Sequence, residues 1–315
     1  MKNITTTYRR NQPVKIALLS LGALFLLTIL ALYGSSVYIV NSMFTHRVVR
    51  METTPEELGL QAETIQVTSS DGIPLQAWWI AAPEAKGIVV VLHGMDGTDA
   101  STMLGHARFL YDAGYSGLVL DMRAHGRSGG ERIGLAFEEP RDVSAALDWV
   151  AAQPELRDQP LALLGLSMGG ATALRTAAIR PEVDAVISVS AFASVDRVLG
   201  QGMRLMGAPE ELIGIYTPFT RLAMLTLYGA WPSAASPERD IPSITPRPVL
   251  IAHGDADDQI PVENATLLKN AAGDNAELWI VPGAGHGIFT GNAAGPEDGA
   301  YREKILEFLA RSLGE

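Results

Sequence analysis

Six short apolar runs recur along the chain, and segments with helical periodicity separate them. Residues 87–92 (GIVVVL) are apolar at nearly every position, as expected of a strand buried on both faces. The other runs lie at 116–120, 161–164, 185–189, 249–252 and, less strongly, 276–281. Helical patterns occupy 100–113, 140–152, 168–179, 262–271 and 301–313. This alternation predicts an α/β fold in which helices cover both faces of a mostly parallel sheet.

Two further strands are predicted ahead of this series. Residues 63–68 (ETIQVT) and 75–80 (LQAWWI) flank SSDGIP, a cluster of turn-forming residues, and so suggest a hairpin. A chain of 315 residues is long enough for one large α/β domain. It contains no cysteine, which excludes disulfides, zinc–thiolate sites and a cysteine nucleophile.

The N-terminal part of the chain is predicted to span a membrane. Residues 16–40 carry no charge, and a spanning helix needs about 20 apolar residues. Basic residues lie on both sides of this run, with four before it and two after it: Lys2, Arg9, Arg10, Lys15, Arg47 and Arg50. Their bias predicts a cytoplasmic N-terminus, a single-pass anchor within 1–45, a connector over 46–62, and a body over 63–315 outside. The alternatives are a cleaved signal peptide, with a weak cleavage site near Ser35 and Ser36, and a buried helix of the globular body.

The body of the protein is strongly acidic. Residues 1–50 hold six of the 24 Lys and Arg residues and no Asp or Glu, so the remainder carries 18 basic residues against 35 acidic ones. Such a body repels phosphates, which argues against a nucleic-acid partner. The predicted partners are the membrane, through the N-terminal helix, and a small substrate.

One segment interrupts the alternation of strands and helices. Residues 192–245 are rich in Met, Leu and Gly, contain several aromatic residues, and are too long for a simple connection. They form either two ordinary helices that pack on the domain or a short lid-like insert over a pocket, whose apolar residues contact substrate.

A serine lies where an apolar strand meets a helix. The sequence Gly165-Leu166-Ser167-Met168-Gly169 fits the pattern G-x-S-x-G in the context of strand, turn and helix that this pattern requires. The glycines avoid collisions in a sharp turn, and the N-terminus of the following helix favours developing negative charge. Ser167 is therefore a candidate nucleophile; the alternative is a tight packing turn.

A serine nucleophile needs a base, and a histidine is the usual one. Two of the six histidines follow Ser167 in the chain, His253 and His286. His253 ends an apolar strand inside a turn, whereas His286 lies in the glycine-rich loop VPGAGHGIF, from which a side chain can reach across. His286 is thus the predicted base. The acid should lie between Ser167 and His286, and HGDADDQIP offers Asp255, Asp257 and Asp258.

The segment from His253 to Pro261 resembles the HGxxDxxVP signature of the α/β-hydrolase superfamily, with Ile260 in place of the usual valine. The resemblance implies that Asp257 is the triad acid, which orients His286 and stabilises its imidazolium form. Asp258 is the fallback acid.

VVVLHGMDG is similar to the oxyanion loop of the same superfamily. By that resemblance the backbone N–H groups of Met95 and Met168 form the oxyanion hole, and His93 is structural. DMRAHGRSGG resembles the D-x-R-G-x-G-x-S turn of these enzymes, but Ala124 stands where glycine is usual. Asp121, Arg123 and Ser128 are accordingly interpreted as structural.

The resemblance covers about residues 63–313 and is greatest to the branch that holds monoacylglycerol lipases, lysophospholipases and proline iminopeptidases. It implies an α/β-hydrolase fold and hydrolysis of a carboxylic ester, such as a lipid or other acyl ester, through an acyl-enzyme on Ser167, Asp257 and His286. It implies no metal or organic cofactor.

Two other functions remain open. A peptidase of the proline iminopeptidase or prolyl-oligopeptidase type needs a charged anchor for a peptide terminus, and the nearest candidate is Glu210 with Glu211, which more commonly would be a solvated helix start. A membrane-tethered binding protein could keep the fold without catalysis.

Overall fold

The computed structural model describes residues 12–95, 97–289 and 298–314. Within these ranges eight strands form one sheet. Their bounds are β1 Glu63–Thr68, β2 Pro74–Ile80, β3 Ile88–Leu92, β4 Ser116–Asp121, β5 Leu161–Leu166, β6 Ala185–Val189, β7 Val249–Gly254 and β8 Ala276–Val281. Every predicted strand is present: the six apolar runs form β3 to β8, and the predicted hairpin forms β1 and β2.

The strands lie in the order β1-β2-β4-β3-β5-β6-β7-β8. β1 and β2 form the predicted hairpin, β2 is antiparallel to β4, and the remaining neighbours are parallel. The predicted, mostly parallel sheet is thus confirmed. The carboxyl ends of β3, β5, β7 and β8 meet at one edge, where ligands bind in open α/β sheets.

Helices cover both faces of this sheet. The described helices are α1 Gln12–Phe44, α2 Leu104–Asp112, α3 Glu139–Ala152, α4 Met168–Ile179, α5 Val195–Leu205, α6 Glu210–Tyr228, α7 Pro237–Asp240, α8 Glu263–Ala272 and α9 Gly299–Leu313. The helix predicted over 100–113 begins as a 3-10 turn, Ala100–Met103, in which the Asp99 side chain accepts a hydrogen bond from the Ser101 N–H. A side chain that caps the chain in this way favours a tight first turn.

The core has two layers, one on each side of the sheet. Val90 and Leu92 of β3 pack in the layer that contains α3 and α4, whereas Val89 and Val91 pack in the layer that contains α2 and α9. Successive residues of a strand point to opposite faces, so a strand covered on both sides must be apolar throughout.

Helix α1 is longer than the predicted span and has two different parts. Its large apolar side chains between Val14 and Leu30 are exposed, and the helix is long and apolar enough to cross a membrane. Ser36, Val40 and Phe44 near its end are buried against the body. The Tyr33 hydroxyl lies 2.7 Å from the Thr226 hydroxyl of α6. The N-terminal residues 1–11, which include three of the predicted basic residues, lie outside the described ranges.

The connector is bound to the body rather than extended. The Val48 N–H donates to the Ala124 carbonyl at 2.9 Å, and the Val48 carbonyl accepts from the Gly126 N–H at 2.8 Å. The Arg47 guanidinium donates to three carbonyl oxygens of the loop that follows β4, those of Gly126, Ser128 and Gly130. The connector, although polar, is therefore attached to the body by hydrogen bonds and is not a free linker.

Glu139, at the start of α3, is a buried acid with a consequence for stability. Burial, together with the charge of Asp142, raises the pKa of Glu139 from 4.5 to about 7. The folded protein thus keeps a proton that the unfolded chain releases, so this residue's stabilising contribution is present below pH 4.5 and is lost as the pH rises towards 7. We expect Glu139→Gln to melt at a higher temperature than the wild type at pH 8. At pH 4.5 the two should melt alike, and an equal difference at both pH values would contradict the assignment.

Candidate active site

Ser167 lies in a sharp turn between β5 and α4. Its backbone has φ 55° and ψ −115°, a conformation that residues with a side chain rarely adopt. A β-carbon on Gly165 would collide with the backbone of Gly169, and one on Gly169 would lie 2.5 Å from the His93 carbonyl oxygen. Both glycines are therefore required by the close approach of β3, β5 and α4 at this turn.

Asp257 and His286 come together beyond the ends of β7 and β8. His286 Nδ1 lies 2.8 Å from Asp257 Oδ2, so a proton on Nδ1 is donated to the carboxylate. Burial would raise the pKa of Asp257, but hydrogen bonds from His253, His286 and the Ile260 N–H outweigh it and hold the pKa well below its usual range. Asp257 is therefore ionised.

His253 is a second histidine on the same carboxylate, and the sequence analysis did not find this contact. Its Nε2 lies 3.1 Å from Asp257 Oδ2 and 2.7 Å from the Ile260 carbonyl oxygen. Both contacts are satisfied by a proton on Nε2. The spacing of four residues between His253 and Asp257 was the available signal, because the turn after β7 brings the chain back past the strand end.

Ser167 and His286 line one cavity of about 260 Å³. Its wall is mostly apolar and comes from α1, the loop after β3, the segment before α3, the turn before α4, the 192–245 insert and the loop after β7. The lining side chains include Met43, Phe44, Met95, Leu135, Met168, Phe192, Val198, Leu199, Leu205 and Ile260, with Thr98 and Gln259 as further polar residues. Helix α5 of the insert thus borders the cavity, as a lid would.

The two predicted oxyanion residues, Met95 and Met168, both line this cavity. Met168 is the first residue of α4, where N–H groups have no partner inside the helix. Met95 lies in the loop after β3, and its carbonyl oxygen is 3.0 Å from His125 Nε2. That contact fixes the orientation of the loop; the adjoining Asp96 is outside the described residues.

His93 has the structural role that was predicted for it. Its Nδ1 lies 2.7 Å from the Gly94 carbonyl oxygen, and its Nε2 accepts a hydrogen bond from the Met122 N–H at 3.0 Å. Burial, and then the neighbouring His125, lower the pKa of His93 to about 3, so the ring is neutral. It ties the loop after β3 to the end of β4.

The loop over 121–130 is also structural. Ser128 Oγ donates to the Asp121 carbonyl at 2.5 Å, and Arg123 forms ion pairs with Asp142 at 2.6 Å and Asp71 at 2.8 Å. Ala124 has φ 60°, in the left-handed region that favours glycine. Ala124 thus adopts a backbone conformation that glycine adopts more readily.

The remaining acidic candidates lie away from the cavity lining. Asp255 and Asp258 are exposed, and Asp255 accepts a hydrogen bond from the Gly283 N–H. Glu210 is an exposed residue at the start of α6 and pairs with Arg204 at 2.6 Å. Within the described ranges, no group of three or more His, Asp or Glu side chains is placed to hold a metal ion.

The sequence also matches a known family. The family described as serine aminopeptidase, S33, matches residues 83–245, just over half of the chain. The chain belongs to the S33 family. This S33 protein is an enzyme of the hydrolase class with the α/β-hydrolase fold, as its sequence predicted.

Several relatives of the S33 protein extend this comparison. It is 27% identical to the uncharacterized protein YfhR of Escherichia coli, over 80% of this chain and 82% of that one. It is 31% identical to the uncharacterized protein Rv2307c of Mycobacterium tuberculosis, over 70% and 71%. A solved structure of a Pyrococcus furiosus esterase is 26% identical, with a TM-score of 0.67, and covers 85% of this chain and 99% of that chain. Ester hydrolysis is therefore the activity of one similar protein.

Proposed function

We propose that this protein is a serine hydrolase that cleaves carboxylic esters with an apolar acyl group. The observation that carries the proposal is that a serine on a strained, glycine-flanked turn and a histidine paired with a carboxylate line the same apolar cavity. The similar esterase of Pyrococcus furiosus supports the choice of an ester bond.

In the first half-reaction Ser167 Oγ attacks the ester carbonyl carbon while His286 Nε2 accepts the hydroxyl proton. The carbonyl π electrons move to oxygen and form a tetrahedral oxyanion. His286 then gives the proton to the leaving alkoxide as its C–O bond breaks, which releases an alcohol and leaves the acyl group on Ser167. In the second half-reaction His286 takes a proton from a water molecule as the water oxygen attacks the acyl carbonyl carbon. The acyl–serine C–O bond then breaks, and His286 returns the proton to Ser167 Oγ, which releases the acid and restores the enzyme.

Asp257 and the two methionine N–H groups support these steps. An ionised Asp257 keeps the proton of a neutral His286 on Nδ1, which leaves Nε2 free to accept a proton, and it stabilises the imidazolium that follows. The N–H groups of Met95 and Met168 donate to the oxyanion, and removing one such donor typically costs about 10²–10³-fold in rate.

The apolar wall favours an acyl ester over a peptide as substrate. A peptide terminus needs a charged partner, and the described lining contains no Asp, Glu, Lys or Arg. Glu210, the sequence's candidate, is already paired with Arg204. The family description nevertheless names aminopeptidases, so peptidase activity is the second candidate.

We further propose that α1 anchors the enzyme as a single-pass membrane protein, with the body outside the cytoplasm. The exposed apolar surface from Val14 to Leu30 supports insertion, because so large a surface is unfavourable in water. The bias of basic residues supports this orientation.

Labelling of the full chain in detergent with a fluorophosphonate probe tests the proposal. We expect the wild type to be labelled, Ser167→Ala to be unlabelled, and Ser233→Ala, an exposed serine outside the cavity, to be labelled like the wild type. We also expect turnover of p-nitrophenyl esters. Labelling with hydrolysis of aminoacyl p-nitroanilides but not of esters would favour the peptidase. A folded wild type without labelling would leave the non-catalytic binding protein.

A further inference from the structure

We propose that the end of the membrane helix is part of the acyl-binding wall, so that Met43 and Phe44 select the acyl chain of a membrane-resident ester. This inference rests on the proposed esterase function. The inference goes beyond that function because it gives the anchor a role in specificity and names an amphiphilic lipid ester as the substrate class.

The first argument is the position of the two side chains. Met43 and Phe44 line the cavity that contains Ser167 and His286. Phe44 is 1% exposed, and its carbonyl oxygen accepts a hydrogen bond from the Ile133 N–H at 2.8 Å. Gly202 of α5 also lines the cavity, and a β-carbon on it would lie 3.7 Å from Met43 Cε. The anchor and the insert therefore adjoin each other in the cavity lining.

The second argument is that this position is fixed by the chain on both sides. Before Phe44, α1 packs on α6, where the Tyr33 hydroxyl meets Thr226. After Phe44, Arg47 and Val48 are hydrogen-bonded to the loop that follows β4. A helix end held at two places has the fixed geometry that selection by shape requires.

The third argument concerns the surroundings of the cavity. Leu205 lines the cavity and is still 57% exposed, so it lies at the rim. The adjacent Met206, together with Leu212, Ile215 and Leu222 of α6, adds exposed apolar side chains. α6 contacts α1 at Tyr33 and Ser35, where the exposed apolar part of α1 ends, so under the proposed anchoring these side chains lie near the membrane surface. Tyr and Trp are common at the interface between membrane and water. Here Tyr33 and Tyr38 lie on α1, and Tyr216 and Trp231 lie on the insert.

These features together indicate the substrate. An apolar rim against the bilayer admits an amphiphile whose acyl chain can move from lipid into the cavity without crossing water, and whose ester group then reaches Ser167. A water-soluble short ester would gain less from such a wall, since a small acyl group buries little apolar area.

The test is the chain-length preference of the full-length enzyme in detergent. We would measure kcat/KM for p-nitrophenyl acetate, octanoate and palmitate in the wild type, Met43→Trp, Phe44→Ala and Gly202→Leu. The matched control is Val40→Ala, because Val40 is also 1% exposed on α1 but is absent from the described cavity lining. We expect Met43→Trp and Gly202→Leu to lower the palmitate-to-acetate ratio about tenfold or more. Phe44→Ala should change the ratio, and Val40→Ala should leave it unchanged.

The outcomes separate this inference from the proposed function. Fluorophosphonate labelling reports the Ser167 site in every variant, whatever the chain length. Intact labelling and ester turnover with an unchanged ratio in Met43→Trp and Gly202→Leu would overturn the role of α1 and leave the esterase standing. Gly202→Leu keeps the test valid if an α1 variant fails to fold, because it narrows the same space from the insert.

A vesicle experiment tests the source of the substrate. The wild type is reconstituted in phosphatidylcholine vesicles, and 4-methylumbelliferyl palmitate is placed either in the same vesicles or in separate ones. Faster hydrolysis in the same vesicles is the expected result. Equal rates, with exchange of the ester between vesicles shown to be slow, would mean that substrate arrives through water and would overturn the membrane-resident class.

Discussion

Changing Asp257 to asparagine is expected to lower kcat for ester hydrolysis about 10⁴-fold with little change in KM. The His286 Nδ1–Asp257 Oδ2 contact of 2.8 Å fixes the histidine proton on Nδ1. An asparagine amide that donates to Nδ1 would instead place the proton on Nε2, where the base must be free. The measurement is kcat with a p-nitrophenyl ester at pH 8, after a check by circular dichroism that the variant is folded.

Asp258→Asn is the matched control for this change. The two aspartates are adjacent, but Asp258 is exposed whereas Asp257 is buried. We expect Asp258→Asn to keep kcat within about twofold, since an exposed surface change away from the reacting atoms does little. A similar loss of kcat in both variants, or a loss of kcat below tenfold in Asp257→Asn, would contradict the assignment of Asp257 as the acid.

Gly169→Ala is expected to destabilise the protein by about 3 kcal/mol or more, the upper end of overpacking in a tight core. A β-carbon at this position would meet the carbonyl oxygens of Leu92 and His93, which are backbone atoms of a central strand and its following loop. They can move only if β3 shifts against its neighbours, and that displaces the loop after β3, which contains Met95, as well. The measurement is the free energy of unfolding from urea denaturation, with a loss of fluorophosphonate labelling in parallel.

The control for this prediction is Gly214→Ala in α6. No atom lies within 4 Å of the β-carbon added there, and Gly214 is in the middle of a helix. Alanine should therefore stabilise the protein by about 0.5–1 kcal/mol. Equal stability of Gly169→Ala and the wild type would show that the turn can relax.

The sheet could be predicted from the sequence because it depends on local patterns. An apolar run such as Ile88–Leu92 predicts a strand that is buried on both faces, and the glycines around Ser167 predict a sharp turn. The pairing of His286 with the acid needed the resemblance to a family, since three aspartates lay close together in the chain. The structure brings one of them, Asp257, to His286.

Other features could not be predicted, because they depend on how distant segments pack. Nothing in the composition of 16–40 reveals that Phe44 would lie in the same cavity as Ser167, more than 100 residues away. The polar composition of the connector suggested a linker, because hydropathy cannot predict the hydrogen bonds from Arg47 to backbone carbonyls. The contact of His253 with Asp257 likewise arises only when the turn after β7 closes.

The hydrogen bonds of Arg47 have a consequence for cleavage of the chain between helix α1 and the body. Many tethered domains can be shed by a protease that cuts the stalk. Here the connector is bound to the loop after β4 through Arg47, which donates to the carbonyls of Gly126, Ser128 and Gly130, and His125 of that same loop contacts the Met95 carbonyl. A cut directly after Phe44 would separate Arg47 and Val48 from helix α1, whereas a cut after Val48 would leave both residues on the helix and remove them from the body. Under the proposed anchoring, release of the body by such a cut is therefore expected to weaken the support of the loop beside Met95 and to lower the rate of ester hydrolysis.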